Sequence, residues 1–282
     1  VVTNKKEPYG VHPEQPTLDK WGLPPPSLED IFPPLSAEIE RIPLEIQRNY
    51  TISEIQDALK DHLELNIDDE AIKLLHVSPP VLCVDNFLTP GECREIQRIM
   101  LDDDDDSSEA AVRVNSKTFA NAVSKRTSTS WFCYYKRVPK LLAKMEERFG
   151  LIVNHMEEPQ VVRYETGQEF NWHYDQVPTS LLNNGGQRLA TFLVYLNDVE
   201  SGGGTMFRDL QDAHGNVLTV QPVQGRALLF FPAFRDGTPD ERTLHQGEKV
   251  VDGEKHIVQV WIHEKPYTAI LPPNNRQSSV DI

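Results

Sequence analysis

The apolar positions of this chain change period partway along it. From Thr51 to Leu65, Ile52, Ile55, Leu59 and Leu63 recur at helical spacing with Thr51 or Ser53 placed to cap, which predicts a short amphipathic helix. Val81 to Asp85 predicts a strand, and Thr89-Pro90-Gly91-Glu92 has the spacing of a capping box with Pro at the first helical position, opening a helix through Met100. Pro139 to Phe149, stopped by Gly150, predicts another helix. Beyond it the runs shorten: strands are predicted near 159–165, 168–175, 189–196, 217–220, 226–231 and 255–263, separated by Gly, Asn and Asp turns. Many short strands after two helices predict a mainly β fold with flanking helices, a sandwich or jelly roll with the helices on one side.

Other segments lack such periodicity. Residues 1 to about 45 hold nine of the 21 prolines, including Pro24-Pro25-Pro26, and predict an irregular or polyproline-like arm. Asp102 to Asp106 opens a small, polar stretch running to residue 125, whose composition cannot bury itself and which predicts a solvated loop. Pro178 to Gln187 predicts a second flexible loop, and residues 268–282 a polar tail. The layout expected is therefore an N-terminal arm and helix over 1–77, a catalytic domain over 78–267 and a C-terminal tail over 268–282.

A chain of 282 residues with 39% hydrophobic content can hold a sizeable core. A net charge of −15 argues against nucleic-acid backbones and anionic membranes as partners, while allowing a neutral or basic protein substrate. No apolar run approaches the length of a membrane span. With no initiator Met and no charged-then-apolar leader, upstream sequence is expected to have been removed. Cys83 and Cys93 could pair or remain buried thiols alongside Cys133, so redox compartment stays open. Asn49-Tyr50-Thr51 is a glycosylation sequon that would matter only in a secretory lumen, the compartment favoured over the cytoplasm.

The candidate chemistry lies in His173-x-Asp175, His245 and Lys255. On a strand, residues i and i+2 share a face, so His173 and Asp175 would enter one cavity while Trp172 and Tyr174 face away. Two imidazoles and one carboxylate are the facial triad of non-haem Fe(II) oxygenases, which leaves coordination positions open. Lys255 starts an apolar strand on which Ile257, Gln259, Trp261 and His263 share its face, and a buried ammonium there needs an anionic partner. A lone strand His is more often a satisfied core residue, and an H-x-D triplet alone is weak evidence, so the companions carry the argument.

Those companions make the chain resemble the 2-oxoglutarate-dependent prolyl 4-hydroxylases of the plant and algal, single-catalytic-domain type. The resemblance runs over about residues 79–266 through Arg126-Thr127-Ser128-Thr129-Ser130-Trp131-Phe132, Tyr164-x-x-Gly167-Gln168, His173-x-Asp175, Gly186-Gln187-Arg188-Leu189-Ala190-Thr191, Tyr195-Leu196-Asn197-Asp198, Gly202-Gly203-Gly204-Thr205-x-Phe207, His245-x-Gly247 and Gly253-x-Lys255. It implies a double-stranded β-helix core, Fe(II), 2-oxoglutarate and oxygen as reactants, ascorbate beside them, and a proline-containing peptide or protein as substrate. It also implies roles: His173, Asp175 and His245 as iron ligands, Lys255 as the cation for the distal carboxylate, and Tyr164 and Thr191 as cosubstrate-pocket residues. Arg126, Ser128, Glu157, Arg188, Trp261 and His263 match positions around the peptide or the iron, and the stretch before Arg126 matches a loop that closes over the peptide. Phe170 departs from the Tyr usual in the algal relatives, which keeps open the same chemistry on another residue or a small molecule. A catalytically silent jelly-roll binding protein is the third reading, disfavoured because it would have no use for all four of His173, Asp175, His245 and Lys255.

Overall fold

The computed structural model describes residues 50–101, 111–115 and 127–271, the middle stretch by its backbone. The proline-rich arm, Asn49, the acidic run, Arg126 and the tail beyond 271 lie outside the described residues. Three helices, α1 (Ile52–Ala58), α2 (Pro90–Leu101) and α3 (Pro139–Phe149), accompany fourteen strands among the described residues. In chain order the strands are β1 (Ile72–Val77), β2 (Pro80–Val84), β3 (Ala111–Asn115), β4 (Thr129–Cys133), β5 (Gln160–Tyr164), β6 (Phe170–His173) and β7 (Arg188–Tyr195). They continue with β8 (Ser201–Gly202), β9 (Thr205–Gln211), β10 (Val217–Val220), β11 (Ala227–Phe230), β12 (His245–Gly247), β13 (Val250–Asp252) and β14 (Lys255–His263).

Eight strands form the large sheet, in the order β1-β2-β11-β7-β14-β5-β4-β3. A second sheet, β10-β9-β12-β6, faces it, and β13 pairs with β8. The fold is the jelly roll expected from the run of short strands. The period of two sorts its large sheet: Val161, Val194, Val258 and Val260 join the core shared with the helices, while their neighbours Val162, Tyr195 and Ile257 join Phe207, Leu210 and Val220 between the sheets. Strands buried on both faces read as continuous apolar runs, which is why β7, β11 and β14 were visible in the sequence.

The helices line one side of the large sheet. Phe87, Phe149 and Phe192 meet at ring-centroid distances of 5.0–6.1 Å and knit α3 to β7. Ile55 and Leu59, from α1 and its C-terminal cap, belong to the same core. The capping residue of α1 is Thr51, which accepts from the Glu54 N–H while Glu54 reaches back to the Thr51 N–H. This helix ends at Ala58, short of the predicted Leu65: the bonds that follow run from Lys60 to the Asp57 carbonyl and from His62 to the Leu59 carbonyl, one residue short of helical spacing, and the Asp61 and His62 carbonyls accept from Arg235 at 2.9 and 3.0 Å.

The other differences are local. β6 stops at His173, so Asp175 lies just beyond the strand. The 178–187 segment contains a 3₁₀ turn at Thr179–Leu181 and is tied to the chain's last described residues, with Asn184 and Thr268 exchanging two hydrogen bonds at 2.9 and 2.8 Å. The three cysteines are free and buried. Among the described residues no helix is long and apolar enough to cross a membrane.

Candidate active site

Antiparallel pairing of β6 with β12 sets His173 opposite His245, with ring centroids 4.2 Å apart. Each imidazole is oriented by its own chain: His173 Nδ1 donates to the Asn171 carbonyl at 2.7 Å and His245 Nδ1 to the Thr243 carbonyl at 2.9 Å. Both Nε2 lone pairs are thereby turned toward Asp175, whose Oδ1 lies 3.7 Å from His173 Nε2 and whose Oδ2 lies 3.7 Å from His245 Nε2. The ligand atoms of these three buried residues all fall within 4.8 Å of one another.

Burial alone would raise the Asp175 carboxyl, but the facing His245 and His173 rings, the Arg188 guanidinium and the Thr191 hydrogen bond hold it at about 2. The Thr191 hydroxyl donates to Oδ2 at 2.7 Å, which leaves Oδ1 available to a metal. Two Nδ1-anchored histidines and one ionised, half-occupied carboxylate fit Fe(II).

Lys255 is 2% exposed at the start of β14, opposite Tyr164 of β5. Its ammonium lies 5.2 Å from the Tyr164 ring centre and 5.6 Å from that of Tyr195. A side chain added at Gly247, two residues after His245, would come 3.7 Å from Lys255 Nζ and 3.6 Å from Phe170. The cation therefore faces the strand that carries His245. Phe170 stacks on His173 at a centroid distance of 3.5 Å.

Residues 159–263 match the 2OG-Fe(II) oxygenase superfamily. Probable prolyl 4-hydroxylase 10 of Arabidopsis thaliana is 32% identical over 215 residues, covering 70% of this chain and 73% of that protein. Probable prolyl 4-hydroxylase 3 of the same plant is 33% identical over 218 residues, covering 71% and 74%. The chain belongs to the prolyl 4-hydroxylase family. Among solved structures, a viral collagen prolyl hydroxylase from Paramecium Bursaria Chlorella virus-1 in its 2OG complex superimposes with a TM-score of 0.46 at 24% identity, covering 64% of this chain and 94% of that one.

This prolyl 4-hydroxylase family member carries a second polar cluster beside His173, Asp175 and His245. Arg188 holds Glu157 through both carboxylate oxygens at 2.5 and 2.8 Å, donates to the Asp175 carbonyl at 3.1 Å, and lies 3.9 Å over the Trp261 ring. His263 Nε2 meets Glu157 Oε1 at 2.7 Å, and burial, which would raise the Glu157 carboxyl, is outweighed by Arg188 and His263, which lower it. Ser128 is buried next to Thr127, which exchanges hydrogen bonds with Glu169 just ahead of β6. Arg126 lies outside the described residues.

Three contributors were not singled out from the sequence. Tyr195 donates to the Thr205 hydroxyl at 2.7 Å and so ties the wall beside Lys255 to β9. Both residues sit inside family-like motifs, which was the available signal. Tyr267 stacks on His263 at 4.8 Å and gave none.

Proposed function

We propose that this chain is an Fe(II)- and 2-oxoglutarate-dependent dioxygenase that hydroxylates peptidyl proline, with His173, Asp175 and His245 holding the metal. The observation that carries the reading is the convergence of those three ligand atoms within 4.8 Å beside a buried lysine. Fe(II) bound there would activate oxygen and, with 2-oxoglutarate as the electron source, convert a proline C–H to C–OH with succinate and carbon dioxide as co-products.

The chain's own residues do the rest. The Asn171 and Thr243 carbonyls take the Nδ1 protons and so turn the two Nε2 atoms inward, and Thr191 fixes the carboxylate. Lys255, walled by Tyr164 and Tyr195, supplies the buried positive charge that a dicarboxylic acid needs at its distal end. Glu157, Arg188, Trp261 and His263 offer a polar and aromatic cleft for an extended peptide. Among the described residues the buried Trp261 indole N–H has no hydrogen-bond partner, and a peptide carbonyl would satisfy it. By family resemblance Ser128 and Arg126 are read as substrate-binding residues, and ascorbate as keeping the iron reduced.

Incubating the protein with Fe(II), 2-oxoglutarate, ascorbate and a panel of proline-containing peptides tests this directly by mass spectrometry. One added oxygen on proline, lost in His173→Ala, is the expected result. Succinate without oxidised proline would retain the oxygenase and move the target elsewhere, the outcome that Phe170, lacking a hydroxyl where it stacks over His173, favours.

A further inference from the structure

His245 enters the site from a long loop. Residues 231–244 run from the end of β11 to the start of β12 and include a 3₁₀ turn at Glu241–Thr243. The Thr243 carbonyl that orients His245 is itself anchored, because the Thr243 N–H and hydroxyl both donate to the Asp240 carbonyl at 3.2 and 2.8 Å. Asp240 is 2% exposed, and Arg242 grips its carboxylate through Nε at 2.7 Å and Nη2 at 2.5 Å. Arg242 Nη1 continues to the Ser78 hydroxyl at 2.9 Å. The direction of His245 thus depends on the backbone carbonyl of Asp240, five residues upstream, and Asp240 is itself held in place through its carboxylate by Arg242.

Asp240 has a further neighbour from outside the 159–263 match. His62, 3% exposed, sets Nε2 3.6 Å from Asp240 Oδ2. Its ring packs against Phe231 at 5.5 Å and Phe234 at 5.0 Å. Neither ring nitrogen has a partner at normal hydrogen-bond length among the described residues, but Nε2 faces the Asp240 carboxylate, which Arg242 and His62 together hold below its ordinary value against the effect of burial. An aromatic slot of this kind would accept Phe without leaving polar nitrogens unpaired. The imidazole is therefore explained by the carboxylate it faces, not by the slot. The backbone agrees: the Arg235 N–H donates to the Asp61 carbonyl at 2.9 Å and Arg235 Nε to the His62 carbonyl at 3.0 Å, fastening this segment to the loop.

We propose that His62 is a positioning residue for the metal ligand His245. It steadies Asp240, Asp240 steadies the Thr243 carbonyl, and that carbonyl holds His245 Nε2 toward Asp175. The segment following α1 then belongs to the support of the metal centre. This rests on the reading of His173, Asp175 and His245 as metal ligands, and the test separates the two.

Co(II) is titrated into the metal-free protein and its visible absorption band followed, with thermal unfolding of metal-free and loaded protein in parallel. The wild type binds with a band that His173→Ala loses; a wild type without the band overturns the ligand reading, and the proposal with it. His62→Phe keeps the ring and removes the nitrogens, while His62→Gln returns an amide nitrogen near the position of Nε2. His62→Phe is expected to weaken Co(II) binding about tenfold with an altered band, and His62→Gln to recover most of that loss. The metal-free melting temperature should move little in either. Wild-type affinity and band in His62→Phe, or a loss that His62→Gln does not recover, makes His62 a packing residue and overturns the proposal. Should His62→Phe not fold, Asp240→Asn takes the same test, with weakened binding expected and unchanged binding overturning it.

Discussion

Asp175 sits where burial competes with the polar groups around it, and those neighbours win, keeping it ionised. Asp175→Asn keeps the shape but removes the negative charge, so turnover of 2-oxoglutarate and the Co(II) band should both vanish while the protein stays folded; retention of either would exclude the ligand role. Lys255 makes a different kind of contribution. Removing it leaves a carboxylate to enter a shielded pocket without a counter-charge, so Lys255→Ala should raise the KM for 2-oxoglutarate on the order of a hundredfold, with kcat far less affected. An unchanged KM would assign the acid to another cation. These residues were legible because the chemistry demands rare types at fixed spacing: a carboxylate two residues after a His, a Lys opening an apolar strand. The Asn171 and Thr243 carbonyls were not, since any residue supplies a carbonyl and only the fold decides which one faces a ring.

Elements were legible where local forces decide them. α2 and α3 were outlined by Pro at one end and, for α3, by Gly150 in the left-handed region at φ 66°. β4, β9 and β12 were not expected, because their alternation is weak and their pairing with distant strands makes them. At the start of α2, burial would raise Glu92, yet the hydrogen bonds from Lys144 and from the Thr89 backbone and hydroxyl hold it at about 2, below its ordinary 4.5. A lowered carboxyl stabilises the fold above its unfolded value and loses that contribution as pH falls toward the folded one. The stability gap between wild type and Glu92→Gln should accordingly be full above about pH 4.5 and close toward pH 2, as read by denaturant unfolding across that range. A second test concerns the 178–187 segment. Gly185 has φ +82°, and a Cβ there would lie 2.7 Å from His263 Nδ1. Gly185→Ala should therefore displace the His263 ring and raise the KM for peptide several-fold while leaving the KM for 2-oxoglutarate near wild type; equal effects on both would point to general loosening.

At the scale of the whole molecule, the two cores differ in their relation to function. The core beneath the helices is sealed. The one between the sheets includes Tyr164, Tyr195, Phe207 and Ile257, so it packs directly against Lys255 and the strands bearing the histidines. Filling the metal centre should then stabilise the entire fold: at a metal concentration about a hundred times Kd the gain is about 2.7 kcal/mol, seen as a rise in Tm that a chelator reverses. A chelator without effect on Tm would mean the site takes no metal under those conditions. The same sealing governs the sulfur chemistry. Burial pushes the Cys83 and Cys93 thiols up to about 11 and Cys133 up to about 12. At neutral pH a thiol at 11 is ionised in about one molecule in ten thousand, and the thiolate is the form that attacks peroxides and disulfides. A protein that brings ferrous iron and oxygen together works beside its own source of oxidants. Its cysteines, kept neutral and out of reach, give those oxidants no easy target until the chain unfolds.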